Sequence, residues 1–154
     1  MNNKLLVEKL KQKGYKICAA ESCTGGMFIS SLVGITGASD VIDMGFVTYA
    51  NDAKIKLLGV SADDIEKYGV VSEVVAEQMA KGAADVSGAD IGVGITGIAG
   101  PGGSRYKPEG MVCFGFCING RIITKTMQFG AIGRNEVRKK SCDFATDTLI
   151  ELLK

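Results

Sequence analysis

The chain has no histidine among its 154 residues, and that absence excludes more than any other feature. A Ser-His-Asp triad, a Cys-His dyad and a His-ligated metal are all ruled out within it. Acid–base chemistry near neutral pH is left to Lys, Tyr, Asp or Glu with shifted pKa values. An excess of charge is lacking too: 18 Lys plus Arg stand against 17 Asp plus Glu, a net charge of +1. There is thus no electrostatic case for a nucleic-acid partner or a membrane surface. No uninterrupted apolar run is long enough to span a bilayer, and Met-Asn-Asn-Lys leads into an amphipathic helix pattern, not a signal peptide. A soluble cytoplasmic protein is expected. The five cysteines, Cys18, Cys23, Cys113, Cys117 and Cys142, are odd in number and include no Cys-x-x-Cys pair, so neither a disulfide framework nor a zinc site is indicated. Most read as small core residues. Cys23 is the one to weigh as a nucleophile, because a thiol near a helix N-terminus can have a lowered pKa.

What is present is an ordinary globular composition, 46% hydrophobic and 23% charged, in a chain of a length that fits one domain over 1–154. Its most informative stretch is Ala19-Ala20-Glu21-Ser22-Cys23-Thr24-Gly25-Gly26. The apolar run Tyr15–Ala19 before it reads as a buried strand, and Met27–Val33 after it as the apolar face of a helix. A hydroxyl therefore sits at a strand-to-helix turn, where free backbone N–H groups and the helix dipole can hold a phosphate or a developing oxyanion. Gly25 and Gly26 would let a ligand approach the backbone. Ser22 or Thr24 acting as a helix cap accounts for the same pattern, since capping and chemistry both want a hydroxyl there.

The remaining segments read in order. Asn2–Lys13 carries Leu5, Leu6 and Leu10 at helical spacing and stops at Gly14. The helix after Ser22 ends near Gly34 or Gly37, and Val41–Tyr49 has the β-branched and aromatic content of a strand. Asn51-Asp52-Ala53-Lys54 is the cap and first turn of a short helix closed by Gly59, Ser61 begins another, and Ser72 caps a longer one with a stripe of Val74, Val75, Met79, Ala83 and Val86. Ile91–Gly97 is the apolar run of a central strand covered on both faces. The segment from Ile98 to Gly110 holds both prolines and a cluster of glycines, so it is a loop. Asn119-Gly120 joins two strands, Met111–Ile118 and Arg121–Phe129, as a hairpin. Gly133–Leu153 is a long helix. The order predicts a three-layer α/β/α sandwich around a mixed, mainly parallel sheet of about five strands with one antiparallel hairpin strand.

In such sheets ligands bind beyond the carboxyl ends of the parallel strands. Ser22, Tyr49 with Lys54, and Thr96-Gly97 all fall at such ends. A serine nucleophile needs a base, and without histidine the candidate is a lysine kept neutral by burial; Lys54 beside Ile55, Leu57 and Leu58 is the one in place. A solvated helix lysine would look the same. Tyr49 either relays a proton or packs with its hydroxyl satisfied. The Gly97–Gly103 loop either cradles a phosphate or merely connects.

Ala20–Gly26, Val47–Asn51 with Lys54 and Leu58-Gly59-Val60, Gly69–Glu73, Gly94–Gly103, and Gly133-Arg134 with Val137-Arg138 together resemble the CinA C-terminal domain, the nicotinamide-nucleotide amidase family. The resemblance covers nearly the whole chain. It implies hydrolysis of the carboxamide of nicotinamide mononucleotide to nicotinic acid mononucleotide and ammonia, in pyridine-nucleotide salvage. It also implies no cofactor, no metal and frequent homodimers or higher homo-oligomers. Carried over by position, Ser22 is the nucleophile, Lys54 the base and Tyr49 an assisting hydroxyl. Thr24, Gly25, Gly26, Thr96, Gly97 and Arg134 are substrate-binding positions, with Arg134 on the phosphate side. Three differences bear on substrate grip: Glu109 stands where a small apolar residue usually precedes Gly110, Ser104–Lys107 is slightly short, and Gly133 replaces a usual Asp. The competing readings are a non-catalytic nucleotide-binding or competence-related interaction domain, and a Ser-Lys hydrolase of another small amide or ester. Retention of Ser22, Lys54 and Tyr49 together favours the enzyme.

Overall fold

A computed structural model describes residues 2–154. Twelve elements succeed one another: α1 (Asn3–Lys13), β1 (Ile17–Glu21), α2 (Met27–Val33), a 3-10 turn (Ala38–Asp40), β2 (Phe46–Val47), α3 (Asn51–Leu58), α4 (Ala62–Tyr68), α5 (Glu73–Ser87), β3 (Ile91–Gly97), β4 (Met111–Ile118), β5 (Arg121–Gln128) and α6 (Arg134–Leu152). The sheet order is β2-β1-β3-β4-β5. β1 pairs in parallel with β2 and with β3, while β3–β4 and β4–β5 are antiparallel. Only β4 therefore runs against the rest, as the hairpin requires. Asn119 and Gly120 both have positive φ, 48° and 86°, which is what a two-residue primed turn demands.

The two faces of the sheet are built from different residues. Alternate positions Ile17 and Ala19 of β1, Ile91, Val93 and Ile95 of β3, and Val112, Phe114 and Phe116 of β4 form one core with α1, α2 and α6. Their alternates on the opposite face are small: Cys18, Ala20, Gly92, Gly94, Cys113, Gly115 and Cys117. That face carries α5, whose backbone lies almost on the strands. A Cβ added to Gly94 would stand 2.4 Å from the Ala76 carbonyl oxygen, a separation no side chain tolerates. Cys18, Cys113 and Cys117 are thus explained by room, and all five cysteines are free and buried. Of the apolar stripe expected on α5, Val75, Met79 and Ala83 are fully buried, and its two ends are corrected. Val86 is exposed and Val74 only half-buried, whereas Ala76, Ala80 and Ala84 lie against the sheet glycines and Gly82 against Leu58 of α3. Gly94→Ala is expected to lower stability by about 1–3 kcal/mol through overpacking. Gly34→Ala, where a Cβ meets only the Ser31 carbonyl at 3.6 Å and the backbone is right-handed helical, should be neutral or stabilising by up to about 1 kcal/mol. Urea midpoints of the two variants measure the difference.

Two local expectations also change. The strand expected over Val41–Tyr49 shrinks to Phe46–Val47, paired only through Ala20↔Phe46 and Glu21↔Val47. It lies at the sheet edge, and edge strands are commonly short; the stretch before it begins with the tail of the 3-10 turn, where the Val41 carbonyl accepts from Ile17 N–H at 2.8 Å. The cap of α3 is Ala50 and not Asn51, with no side-chain bond. Ser61 and Ser72 do cap α4 and α5, accepting from Asp64 N–H and Val75 N–H.

Candidate active site

The carboxyl ends of β1, β2 and β3 lie side by side, and each delivers one wall of a cavity of about 890 Å³ lined by Ser22, Cys23, Tyr49, Gly97 and Arg134 together with residues 66–71 and the 98–107 loop. Ser22 N–H extends the sheet by donating to the Ile95 carbonyl at 2.9 Å, so the last rung of the β1–β3 ladder positions the hydroxyl. The chain then turns sharply, with Gly25 and Gly26 at φ of 56° and 97°. Neither Ser22 nor Thr24 caps α2, whose N-cap is Gly26. That role falls to Glu21. Its buried carboxylate accepts from Phe28 N–H at 2.8 Å and from Ile29 N–H at 3.1 Å, satisfying donors the helix leaves open and placing negative charge at the positive end of the dipole.

Lys54, in the first turns of α3, is fully buried. Its Nζ lies 3.0 Å from Ser22 Oγ, 2.6 Å from the Thr48 carbonyl and 3.1 Å from the Tyr49 carbonyl. Among the described residues no carboxylate pairs with it, and burial pulls its pKa from 10.5 down to about 8, because desolvation disfavours the charged form. The three partners differ in kind. The two carbonyls only accept, so in the free amine both N–H bonds are directed to them and the lone pair is left for the serine hydroxyl. The arrangement holds an amine of lowered pKa against Ser22 Oγ.

Tyr49 is split between its two ends. Its carbonyl accepts from Lys54, while its exposed ring carries the hydroxyl to Arg134 Nη2 at 3.0 Å. Arg134, at the first position of α6, also donates Nη1 to the Gly100 carbonyl at 2.6 Å. Gly97 lines the cavity. Thr96 does not: it is buried with its hydroxyl donating to the Val70 carbonyl at 3.0 Å, tying β3 to the loop before α5. Thr24, Gly25 and Gly26 also lie off the cavity wall, since the turn presents Ser22 and Cys23 and directs these next three residues toward α6 and β2. Gly25 N–H is used within the turn, donating to the Ser22 carbonyl at 3.1 Å. The Cys23 thiol is buried and pushed up to about 11, the opposite of an activated thiolate.

Four residues make contacts at the site that sequence reasoning did not foresee. Glu21 carried a signal, a lone charge in a fully buried strand, which must be paired. Arg138 donates Nε to the Cys23 carbonyl and Nη2 to the Thr24 carbonyl, both at 3.1 Å; it reads as one more helix charge until the tertiary contact is seen. Lys107 reaches from the 98–110 loop to the Tyr68 carbonyl at 2.8 Å and to the Val71 carbonyl. Glu109 accepts from Gly102 N–H and so braces the same loop.

The fold is an α/β/α sheet that brings a serine hydroxyl at one strand end against a desolvated lysine at the next. The comparisons agree on its lineage. The CinA C-terminal domain profile matches residues 2–153, and the chain belongs to that family. It is 47% identical over 143 residues to a protein named nicotinamide-nucleotide amidohydrolase PncC from Enterobacter agglomerans, covering 92% of this chain and 87% of that one. A CinA-like protein from Kosmotoga olearia is 44% identical over 144 residues, 93% of this chain but 35% of its own length. The chain thus spans about a third of several curated relatives it matches. The crystal structure of a competence/damage inducible protein, CihA, from Agrobacterium tumefaciens superposes with a TM-score of 0.94 at 41% identity, covering 99% of this chain and 95% of that one.

Proposed function

We propose that this chain is an amidohydrolase that converts nicotinamide mononucleotide to nicotinic acid mononucleotide and ammonia in pyridine-nucleotide salvage, with Ser22 as nucleophile and Lys54 as base. The observation that carries this reading is the approach of the buried Lys54 amine to Ser22 Oγ, 3.0 Å, on the wall of a cavity. The named activity of the PncC relative supplies the substrate.

As Ser22 Oγ bonds to the carboxamide carbon, its proton passes to Lys54 Nζ and the carbonyl oxygen takes up negative charge. The donor for that charge is the Cys23 N–H. The Ser22 carbonyl turns inward to Gly25 N–H, and in a trans peptide the following N–H points the opposite way. The carbonyl re-forms as the C–N bond breaks, and the lysine proton goes to the leaving nitrogen, which departs as ammonia. Water then adds to the ester, giving a proton to Lys54, which returns it to Oγ as the C–O bond breaks; the acid product loses its proton to solvent.

Arg134 is placed on the phosphate side of this scheme. Held by Gly100 and Tyr49, its guanidinium presents further N–H groups for bidentate contact with phosphate oxygens. A charge-assisted hydrogen bond is worth about 1.5–3 kcal/mol, so Arg134→Ala should lower kcat/KM on the mononucleotide by about 10- to 150-fold. Hydrolysis of the riboside, which has no phosphate, should scarcely change. Equal losses on both substrates would assign Arg134 to the fold or the chemistry. The reading as a whole is tested by ammonia release from a panel of pyridine nucleotides and simple amides. Nicotinamide mononucleotide should be turned over and simple amides ignored; release from simple amides alone would overturn it.

A further inference from the structure

We infer that Arg138 is a positioning residue for this reaction, clamping the turn after the nucleophile so that the Cys23 N–H is held toward the carboxamide oxygen; the inference rests on the role proposed for Ser22. The helix N-terminus cannot supply the donors that stabilise the oxyanion, because Phe28 and Ile29 N–H are bound by Glu21. Gly25 N–H is bound by the Ser22 carbonyl and Met27 N–H by the Thr24 carbonyl. On the cavity wall that turn presents Cys23, whose N–H among the described residues is engaged by its own thiol and by no oxygen. A thiol is only a weak acceptor, so a ligand oxygen beside Ser22 Oγ can take this N–H.

That donor is only as well aimed as its turn, and the turn contains two positive-φ glycines that give it no stiffness of its own. Arg138 supplies the stiffness from outside. One guanidinium takes two successive carbonyls, Cys23 and Thr24, at 3.1 Å each, and a third N–H is held by Asn135 Oδ1 at 3.0 Å. Arg138 itself does not line the cavity, so both carbonyls are drawn to the side away from the substrate. A flipped peptide would place a carbonyl where the oxyanion forms. A planar fork takes the two carbonyls with two separate nitrogens in a fixed plane, whereas a lysine must reach both from one nitrogen on a flexible stem.

The test compares Arg138→Ala, Arg138→Gln, Arg138→Lys and Ser22→Ala in the ammonia-release assay with nicotinamide mononucleotide, each normalised to sites counted by mononucleotide binding. Losing one well-aimed oxyanion donor costs about 10²- to 10³-fold in kcat. Arg138→Ala and Arg138→Gln should therefore lose about 10²-fold in kcat per site, with KM and the acidic limb of the pH profile unchanged. Arg138→Lys should recover part of this, to within about tenfold of wild type. A merely structural role would reduce the number of binding sites and leave kcat per site intact, which would overturn the inference. If Arg138→Ala and Arg138→Gln fail to fold, Arg138→Lys decides: a reduced kcat at unchanged KM supports the clamp and a full kcat overturns it. Turnover surviving in Ser22→Ala would instead remove the nucleophile reading on which the inference stands. An inactive Ser22→Ala beside a fully active Arg138→Gln would remove the Arg138 inference alone.

Discussion

Ser22→Ala is expected to abolish ammonia release from nicotinamide mononucleotide, a loss of about 10⁴- to 10⁶-fold in kcat of the kind seen when a serine nucleophile is deleted. The argument is geometric. Oγ is the one hydroxyl on the cavity wall that a buried amine touches, at 3.0 Å. The fold should not notice the change, because Ser22 is fixed through its backbone, N–H to Ile95 and carbonyl to Gly25. Lys54 keeps its two carbonyl partners. Binding of the mononucleotide, followed by calorimetry, should therefore stay within a few-fold of wild type while turnover disappears. Wild-type turnover in the variant would end the covalent mechanism.

Lys54→Met should remove most of the rate, about 10²- to 10⁴-fold for a lost general base, and with it a limb of the pH profile. The sign follows from burial. With a pKa of about 8 instead of 10.5, roughly a tenth of the molecules hold the free amine at pH 7, against roughly one in 3,000 for an unperturbed lysine. Wild-type kcat/KM should thus rise with pH and level off above about 8, and fall tenfold per unit well below it. The same shift acts on stability. Between about 8 and 10.5 the unfolded chain carries a proton on Lys54 that the folded chain does not, so stability contributed through this group rises with pH across that window. Below it, charging the buried amine costs stability. Melting curves of wild type and Lys54→Met should therefore converge or cross as pH is raised through the window, with the lysine's contribution absent from the mutant. A residually active Lys54→Met enzyme that kept the wild-type pH profile would transfer the base role to another group.

The difference between what is and is not legible in the sequence is one of range. The Asn119-Gly120 hairpin, the Ser61 and Ser72 caps and the strand-to-helix turn at Ser22 are local chemistry, decided by φ requirements and by side chains reaching two or three residues along the chain. Ser22 and Lys54 can be named because both come after ends of parallel strands, and strand ends converge in an open α/β sheet. Two further features require coordinates. The sequence singles out the Tyr49 hydroxyl, yet it is the Tyr49 carbonyl that meets Lys54, since the edge strand ends at Val47 and the backbone of 48–49 curls over the amine. Hydrophobicity finds Val75, Met79 and Ala83 on the buried side of α5, yet it misses Ala76, Ala80 and Ala84, which are small because the helix backbone lies so close to the strands.

What the sequence by itself determined was the set of available chemistries: without histidine, a serine could be activated only by a lysine, tyrosine or carboxylate. It also determined the layer architecture, through the alternation of apolar runs with helical stripes and one hairpin. The tertiary structure decided which lysine had its pKa lowered by burial and which arginine gripped the turn. Those outcomes depend on contacts between residues 32 and more than a hundred apart, on the loss of water around one ammonium, and on two carbonyls being turned toward it. No local pattern encodes desolvation, because a lysine's pKa is set by everything packed around it.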